Sequence, residues 1–494
     1  MSAGEHIVIV GGGIGGLASA LALSRAGHRV TLLERDHLAP TATVEEAFAT
    51  ERPGAPQAHH THAFLARTVV ILRQRFPDVL ERVLATGSTT LPAARNLGDP
   101  QPGDEDLVFL VVRRTTYEWT LRQAVLAEPG TSVRAGAGVA GLTFVAGTDG
   151  GPPTVTGVRL DDGTTLGADA VVVATGRRSN LPEWLGEMGV DVAERVHESR
   201  LMYLTRWYRR PPSGQPLPES RGMDAGFVKY LAVPGDNDTL SITLAIRPDD
   251  SELRRALLDP DRFDEACRRL PGPDRFFAEI DLQPAGPVRP MGGLINRLRT
   301  FTDDAGAPLV LGAHAVGDAH TCTNPIYGRG CSLALAQATL LADAFAAFPD
   351  DRLARSAGFE AASAREIVPW FHASVDMDRM APLSSDLDAR PSDGPPSPIA
   401  ALFVAAESEP ILGRGLAKLF NLLVTPTQLA ADAAFTAKSM EVFANPAAWP
   451  VPKHPGPTRR ELLAALAGIG QPTDHSTDHS SHHQPTELES EGAA

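Results

Sequence analysis

Residues 6–34 read HIVIVGGGIGGLASALALSRAGHRVTLLE, and this stretch decides the fold. His6 to Val10 is a short β-branched, apolar run of the kind that forms a buried strand. It stops at Gly11-Gly12-Gly13-Ile14-Gly15-Gly16, after which Leu17 to Ala26 has helical character and is closed by Gly27. Arg29 to Glu34 supplies the next strand. Strand, glycine turn, helix and strand within about 30 residues make one βαβ unit. Gly11-x-Gly13-x-x-Gly16 sits after the strand and opens the helix, with Glu34 eighteen residues beyond Gly16, so the dinucleotide-binding fingerprint is complete. The glycines allow a tight turn and close approach of a pyrophosphate, and the helix N-terminus offers free N–H groups and a positive dipole end. Glu34 can accept from ribose hydroxyls, and Arg35 is placed to pair with a phosphate, stack on adenine or stand in solvent. The pattern alone leaves NAD and FAD both open.

Further along, a second match, Gly136-x-Gly138-x-x-Gly141, runs into strand-like Leu142 to Val145 and offers no helix to hold a pyrophosphate. Residues 107–112 and 169–173 read as strands, with a helix from Arg114 to Ala127 between them. Leu201 to Tyr208, Gly226 to Val233 and Thr239 to Ile246 read as strands of a separate antiparallel sheet. Residues 308–312, PLVLG, restart the buried-strand pattern and lead through Gly317-Asp318-Ala319 and the turn Asn324-Pro325-Ile326-Tyr327-Gly328-Arg329-Gly330 into a long helix, Cys331 to Phe348. Mostly helical sequence follows to about Asn445, and the polar, His-rich stretch 471–494 is expected to be disordered.

The N-terminal fingerprint with Glu34, the late Gly317-Asp318 pair and Pro325-x-x-Gly328-x-Gly330 resemble FAD-dependent monooxygenases of the para-hydroxybenzoate hydroxylase structural type. Pro56-Gln57-x-His59-x-x-His62, Arg114-x-x-Tyr117-Glu118-x-x-x-Arg122 and Ala168 to Arg177 (ADAVVVATGR) bring the likeness nearest the bacterial olefin epoxidase and styrene monooxygenase-like branch, over about residues 6–445. The resemblance implies FAD as cofactor. It puts Asp318 against the ribityl or phosphate region, Arg114 near the pyrophosphate, and the backbone of Gly328 to Gly330 on the pyrimidine edge of the ring. Gln57 and Pro325 fall in cofactor-binding segments, and His62, Tyr327 and Arg329 become the candidates near the ring. Read without the resemblance, the plain alternative for Asp318 is a turn or cap residue, and Arg114 is equally an i,i+4 partner of Glu118. Relatives often carry Gln where Arg329 stands, so this chain has a positive charge that either approaches the flavin or points to solvent. Thr175-Gly176 occupies the place where NADPH-binding aromatic hydroxylases usually show Asp-Gly. NAD(P)H therefore enters as electron source either directly or through a separate flavin reductase. The Trp-x-Trp-x-Ile-Pro motif of halogenases is missing, and the four lysines, Lys229, Lys418, Lys438 and Lys453, all lie outside the N-terminal flavin half.

Composition bounds these readings. The chain has 494 residues, 43% apolar and 21% charged, enough for a large core and two to four structural units at about 100–200 residues each. A net charge of −15 disfavours nucleic acid and anionic membrane surfaces as partners. Three cysteines without a CxxC pair suggest a reducing, cytoplasmic compartment, and no window reaches the about 18 consecutive apolar residues of a membrane span. His59, His60 and His62 lack the Cys or carboxylate companions of a metal site, so no metal is expected. Gly-x-Ser-x-Gly does not occur, which leaves covalent hydrolysis without support.

The expected fold is α/β. A Rossmann-like FAD-binding domain is built from 1–180, which has room for some substrate-domain strands, and from 301–350; a mainly sheet-rich substrate domain is inserted at 181–300, and a helical C-terminal part covers 351–446. The expected function, implied by the resemblance, is transfer of one oxygen atom from a flavin C4a-hydroperoxide to an apolar olefinic or aromatic small molecule, by epoxidation or hydroxylation. The partners are then molecular oxygen, that small substrate and a flavin reductase where one supplies electrons. A flavin-dependent reductase of isoprenoid-like double bonds and a non-catalytic FAD-binding protein are the alternatives; an NAD-only dehydrogenase leaves the two late motifs unexplained.

Overall fold

The computed structural model describes residues 4–38, 40–94, 97–148, 150–211, 223–380, 382–384, 396–451 and 456–469. The stretch 471–494 lies outside them. In chain order, the elements that position the site are β1 (His6–Val10), α1 (Ile14–Arg25), β2 (Arg29–Glu34), α2 (Arg114–Ala127), β3 (Thr131–Ala135), β4 (Ala170–Val173), β5 (Met202–Arg209), β6 (Val228–Pro234), β7 (Thr239–Ile246), β8 (Ala313–Ala315), α3 (Gly330–Ala347) and α4 (Val368–Met380).

Five strands form one parallel sheet in the order β8-β4-β1-β2-β3. Both of its faces are covered, which is why β1 and β4 read as unbroken apolar runs instead of alternating ones. Ile7 and Ile9 face a core shared with α1, α2 and α3, whereas Val8, Val10, Val171 and Val173 face a second core beneath Leu142, Val155, Val158 and Trp184. Three antiparallel strands, Val139–Val145, Thr154–Leu160 and Thr165–Gly167, build that second cover. Helix α3 has the length and apolar composition to cross a membrane, but most of it is buried against α1 and its neighbours.

A six-stranded antiparallel sheet contains β6, β7 and β5 in adjacent positions, with short strands at its edges. Its outer face, Leu204, Tyr208, Ile242 and Leu244 among others, is buried beneath the helices Ser251–Leu257, Pro260–Arg269 and Pro273–Glu279. Leu462 and Leu466 join that core from the helix Arg459–Ala467, which lies beyond the expected end of helical sequence and opens with a Thr458/Glu461 capping box. A small cluster from the helices Pro398–Ala405, Pro410–Phe420 and Ala433–Ala444 has its own core of Leu402, Leu412, Leu416 and Phe435.

One expected strand is displaced. Residues 308–312 are not a strand; the eighth lettered element starts at Ala313. Leu311 spends its backbone groups on Pro153 and Val155, and Gly312 has φ +70°, so the chain joins the parallel sheet only after it has turned.

Candidate functional site

The fingerprint glycines do three different things. Gly11 has φ +105°, and a Cβ there would stand 2.6 Å from the Ala174 carbonyl oxygen, so this position closes the turn against β4. A Cβ at Gly16 would run into the Gly11 carbonyl, so Gly16 lets α1 pack on β1. A Cβ at Gly13 would meet nothing within 4 Å; Gly13 faces open space. That space is a cleft of about 400 Å³, and its wall collects residues from far apart in sequence: Gly11, Gly13, Glu34, Arg35, Gln57, His62, Arg114, Asp318, Pro325, Gly328 and Gly330. Gly16 stays behind the wall, in the packing.

Two helices aim their N-termini at this cleft. Helix α1 begins after Gly13 and α3 after Arg329, and neither has a side-chain cap. Their first N–H groups are left for a ligand, and the positive dipole ends favour negative charge there. Gly328 has φ +66°, and a Cβ on it would press to 3.0 Å from the Ala63 Cβ, so the turn before α3 requires glycine on both counts.

Charge is distributed unevenly along the cleft. Glu34 accepts from Gly12 N–H at 2.9 Å and Asp36 N–H at 2.9 Å, which orders the turn, and pairs with Arg52 at 3.1 Å. Arg52 also holds Asp36 and the buried Glu118. Burial pushes the Glu118 carboxyl up, but Arg52, Arg114 and Arg122 outweigh it and hold the group below the usual range. Arg114 lines the cleft, and its Nε lies 3.6 Å from Glu118 Oε2. Its Nη1 donates to His62 Nε2 at 3.1 Å, while His62 Nδ1 donates to the His60 carbonyl at 3.0 Å. Burial, then Arg114, push His62 down to about 3, so the ring is neutral and its Nε2 is an acceptor. Asp318 faces the cleft beside Gly330, and burial raises its carboxyl against the pull of Arg114, Arg177 and Arg297.

These residues fit FAD. The uncapped α1 terminus would serve a pyrophosphate, and the uncapped α3 terminus would favour negative charge on a reduced ring edge. One buried polar atom of a cleft residue, Thr323 Oγ1, has no hydrogen-bond partner among the described residues and is available to a polar ligand. Among the described residues no group of His, Cys, Asp and Glu is arranged to hold a metal ion.

Two of the three ring candidates are elsewhere. Tyr327 donates to Asp378 at 2.6 Å and lines a different cavity. Arg329 points neither to the cleft nor to solvent: it is 1% exposed, donates to Ser374 Oγ at 2.6 Å, and lies 4.9 and 5.3 Å from the Tyr327 and Trp370 ring centroids. Two electron-rich ring faces and a hydroxyl replace the water it loses. Burial, opposed by Tyr327 and Asp378, brings it down to about 10, still cationic at neutral pH.

Three contributors are marked by no motif. Arg52 lies in a loop without a motif. Asp378, on α4, gathers Asn296 Nδ2 at 2.6 Å, Asn324 Nδ2 at 2.8 Å and the Tyr327 hydroxyl, and so fixes the turn that carries Pro325 to Gly330. The inner sheet face is polar: Thr243 meets Thr61 and Thr205 at 2.7 Å each, and His60 meets Thr205 at 3.0 Å, which clamps residues 59–62 between sheet and cleft. Ala137, Gly138 and Asp161 also line the cleft, so the second glycine pattern contributes wall although it opens no helix.

The fold is of the para-hydroxybenzoate hydroxylase type, and its cleft offers the groups an FAD would need. Residues 6–97 match the FAD dependent oxidoreductase family model. The chain is 27% identical over 364 residues to protein Rv3254 of Mycobacterium tuberculosis, covering 68% of this chain and 71% of that one. It is 31% identical over 199 residues to aklavinone 12-hydroxylase DnrF of Streptomyces peucetius subsp. caesius, covering 36% of this chain and 37% of the hydroxylase. Among solved structures it is similar to PqsL of Pseudomonas aeruginosa, described as a probable FAD-dependent monooxygenase, with a TM-score of 0.55 at 19% identity, covering 76% of this chain and 95% of PqsL.

Proposed function

We propose that this protein is an FAD-dependent monooxygenase that inserts one oxygen atom of O₂ into an apolar aromatic or olefinic small molecule. The observation that carries the reading is the convergence of two uncapped helix N-termini, Asp318 and Arg114 on one cleft. That cleft adjoins the inner face of a separate sheet through Thr61, which pairs with Thr243. The matched part of the aklavinone hydroxylase favours hydroxylation of a ring over epoxidation.

Bound FAD supplies the two-electron and oxygen chemistry. The chain's own residues bind, orient and shield. The α1 terminus and Arg114 would hold the diphosphate, and the α3 terminus would stabilise negative charge on the ring edge. Neutral His62 accepts from Arg114 and fixes that guanidinium in the cleft. The Thr243 hydroxyl cluster seats residues 59–62 as a water-excluding wall between cleft and sheet. Electrons come from NAD(P)H, and Thr175-Gly176 at the end of β4 favours delivery by a separate flavin reductase. Three buried, unpaired cysteines suit a reducing compartment such as the cytoplasm.

The test is ¹⁸O₂ labelling. FAD-loaded protein supplied with a flavin reductase and NADH is given aromatic and olefinic substrates, and products are weighed. One ¹⁸O atom per product is expected. Anaerobic saturation of a double bond without label would establish the reductase reading instead, and no turnover of any substrate would leave the non-catalytic one.

A further inference from the structure

Two parts of the cleft wall must keep a fixed spacing if one cofactor is to meet both: the turn Gly317-Asp318-Ala319, which follows β8, and the N-terminus of α3. They lie close together, since a Cβ on Gly330 would stand 3.8 Å from Asp318 Oδ1. The chain leaves the parallel sheet at Val316, whose N–H still donates to the Val173 carbonyl at 3.0 Å. Gly317 then turns with φ +67°, and its N–H departs from the ladder. A buried N–H without an acceptor is costly. Here the acceptor is a side chain: Gly317 N–H donates to Gln337 Oε1 at 2.8 Å. Gln337 belongs to α3 and lies about two turns from its start.

Other parts of the turn are held from elsewhere. Arg299 Nη1 donates to the Ala319 carbonyl at 3.0 Å, and Arg297 Nη2 donates to the Asp318 carbonyl at 3.4 Å; both arginines come from the strand Ile295–Thr300. Among the described residues, the Gly317–Gln337 bond is the one hydrogen bond that joins the turn to α3. Packing gives no reason for an amide at this position. Gln337 is fully buried in a helix whose adjoining residues Leu335, Ala336 and Ala338 are buried and apolar. An amide there loses its water and needs partners at both ends. Oε1 has Gly317, whereas Nε2 has only Ser363 Oγ, at 3.3 Å, on the helix Arg352–Glu366. An apolar side chain would meet these surroundings without that cost, so the amide answers to the turn.

We infer that Gln337 is a positioning residue for the cofactor: its amide oxygen sets the distance between the Asp318 turn and the N-terminus of α3, so that both act on one flavin dinucleotide. Gln337 does not line the cleft and acts only through the turn. The inference rests on the FAD reading of the cleft, and on Asp318 within it.

FAD affinity of the full-length protein, followed by flavin fluorescence, orders the variants. Gln337→Glu keeps an oxygen that accepts from Gly317 and should bind FAD within about threefold of the parent. Gln337→Met fills the space but accepts nothing, and should bind FAD about tenfold more weakly, a difference of about 1.4 kcal/mol. A residue that only packs α3 predicts the reverse order, because Met suits an apolar site and a buried Glu does not. In an Asp318→Ala background, Gln337→Met should cost no further affinity, within about twofold. Met binding FAD as well as Glu does, or the same loss in both backgrounds, overturns the inference and leaves the FAD reading standing. Should Gln337→Met fail to melt cooperatively, Ser363→Ala, which frees the far end of the amide, carries the test: weaker FAD binding than the parent upholds the inference and equal binding overturns it. Asp318→Ala binding FAD like the parent removes Asp318 and the inference together, and a parent that binds no FAD removes the cofactor reading itself.

Discussion

Asp318 is a cofactor-site candidate whose burial comes at the expense of stability. Its carboxyl is raised by burial beside the α3 terminus, so its folded value lies above the unfolded one. A carboxylate of this kind costs stability above its unfolded pKa, because the folded protein disfavours the charged form. Asp318→Ala should therefore leave the FAD-free protein melting at the same temperature or higher. The rise in melting temperature on adding FAD should shrink, with FAD affinity down by about tenfold or more, or about 1.4 kcal/mol. Thermal melts with and without FAD check both halves, and unchanged FAD affinity would remove Asp318 from the cofactor site. The glycines give the complementary lesson at this scale: Gly11 and Gly16 are needed by the backbone, but Gly13 borders only the space a ligand would fill.

At the scale of elements, α4 controls, through one carboxylate, the turn between the cleft and the cavity that Tyr327 lines. Asp378 accepts from Asn296, Asn324 and Tyr327, and Asn324 in turn accepts from the Tyr203 hydroxyl at 2.8 Å. Asp378→Ala strands three donors at once. At about 1–3 kcal/mol for each buried donor left unmet, discounted because Asp378 is only half-buried, a loss of about 2–4 kcal/mol is expected. Urea unfolding measures that loss. The 324–327 turn also loosens, so substrate KM should rise more than FAD affinity falls. Equal stability of variant and parent would show that the turn is held by its glycines alone.

Across the whole molecule, acid stability follows from buried imidazoles. Burial is the main cause that brings His60 to about 4, and His62 and His314 to about 3, from an ordinary value near 6.5. Below about pH 6.5 the unfolded chain binds three protons that the folded chain refuses, so stability falls as pH falls. The slope is about 1.4 kcal/mol per pH unit for each imidazole, fading near pH 4 for His60 and near pH 3 for the other two. Urea midpoints measured from pH 7 to pH 4.5 should decline. His314→Leu, in a site walled by Phe345 and Phe359 away from the cleft, should flatten the decline. A midpoint constant over this range would mean that these rings are hydrated.

The sequence alone determined whatever depends on local chemistry. The 6–34 stretch specified strand, turn, helix and strand, because glycine spacing and apolar periodicity are read within a few residues, and β2, α2 and β7 occupy the expected 29–34, 114–127 and 239–246. Residues 308–312 depart from the strand their apolar run suggests, because apolar character does not reveal where backbone hydrogen bonds go. Only tertiary structure decided which face of each sheet strand looks inward, since β5 and β7 are buried on both sides and alternation is silent there. It alone turned Arg329 and Tyr327 from the cleft toward a chamber, because their partners, Ser374, Asp378 and Trp370, lie more than forty residues away on α4. It alone brought Arg52 to Glu34, Asp36 and Glu118. Motifs record the backbone geometry a cofactor demands; the charge pairs and cavity walls that select a substrate arise from long-range contacts, which leave no spacing in the chain.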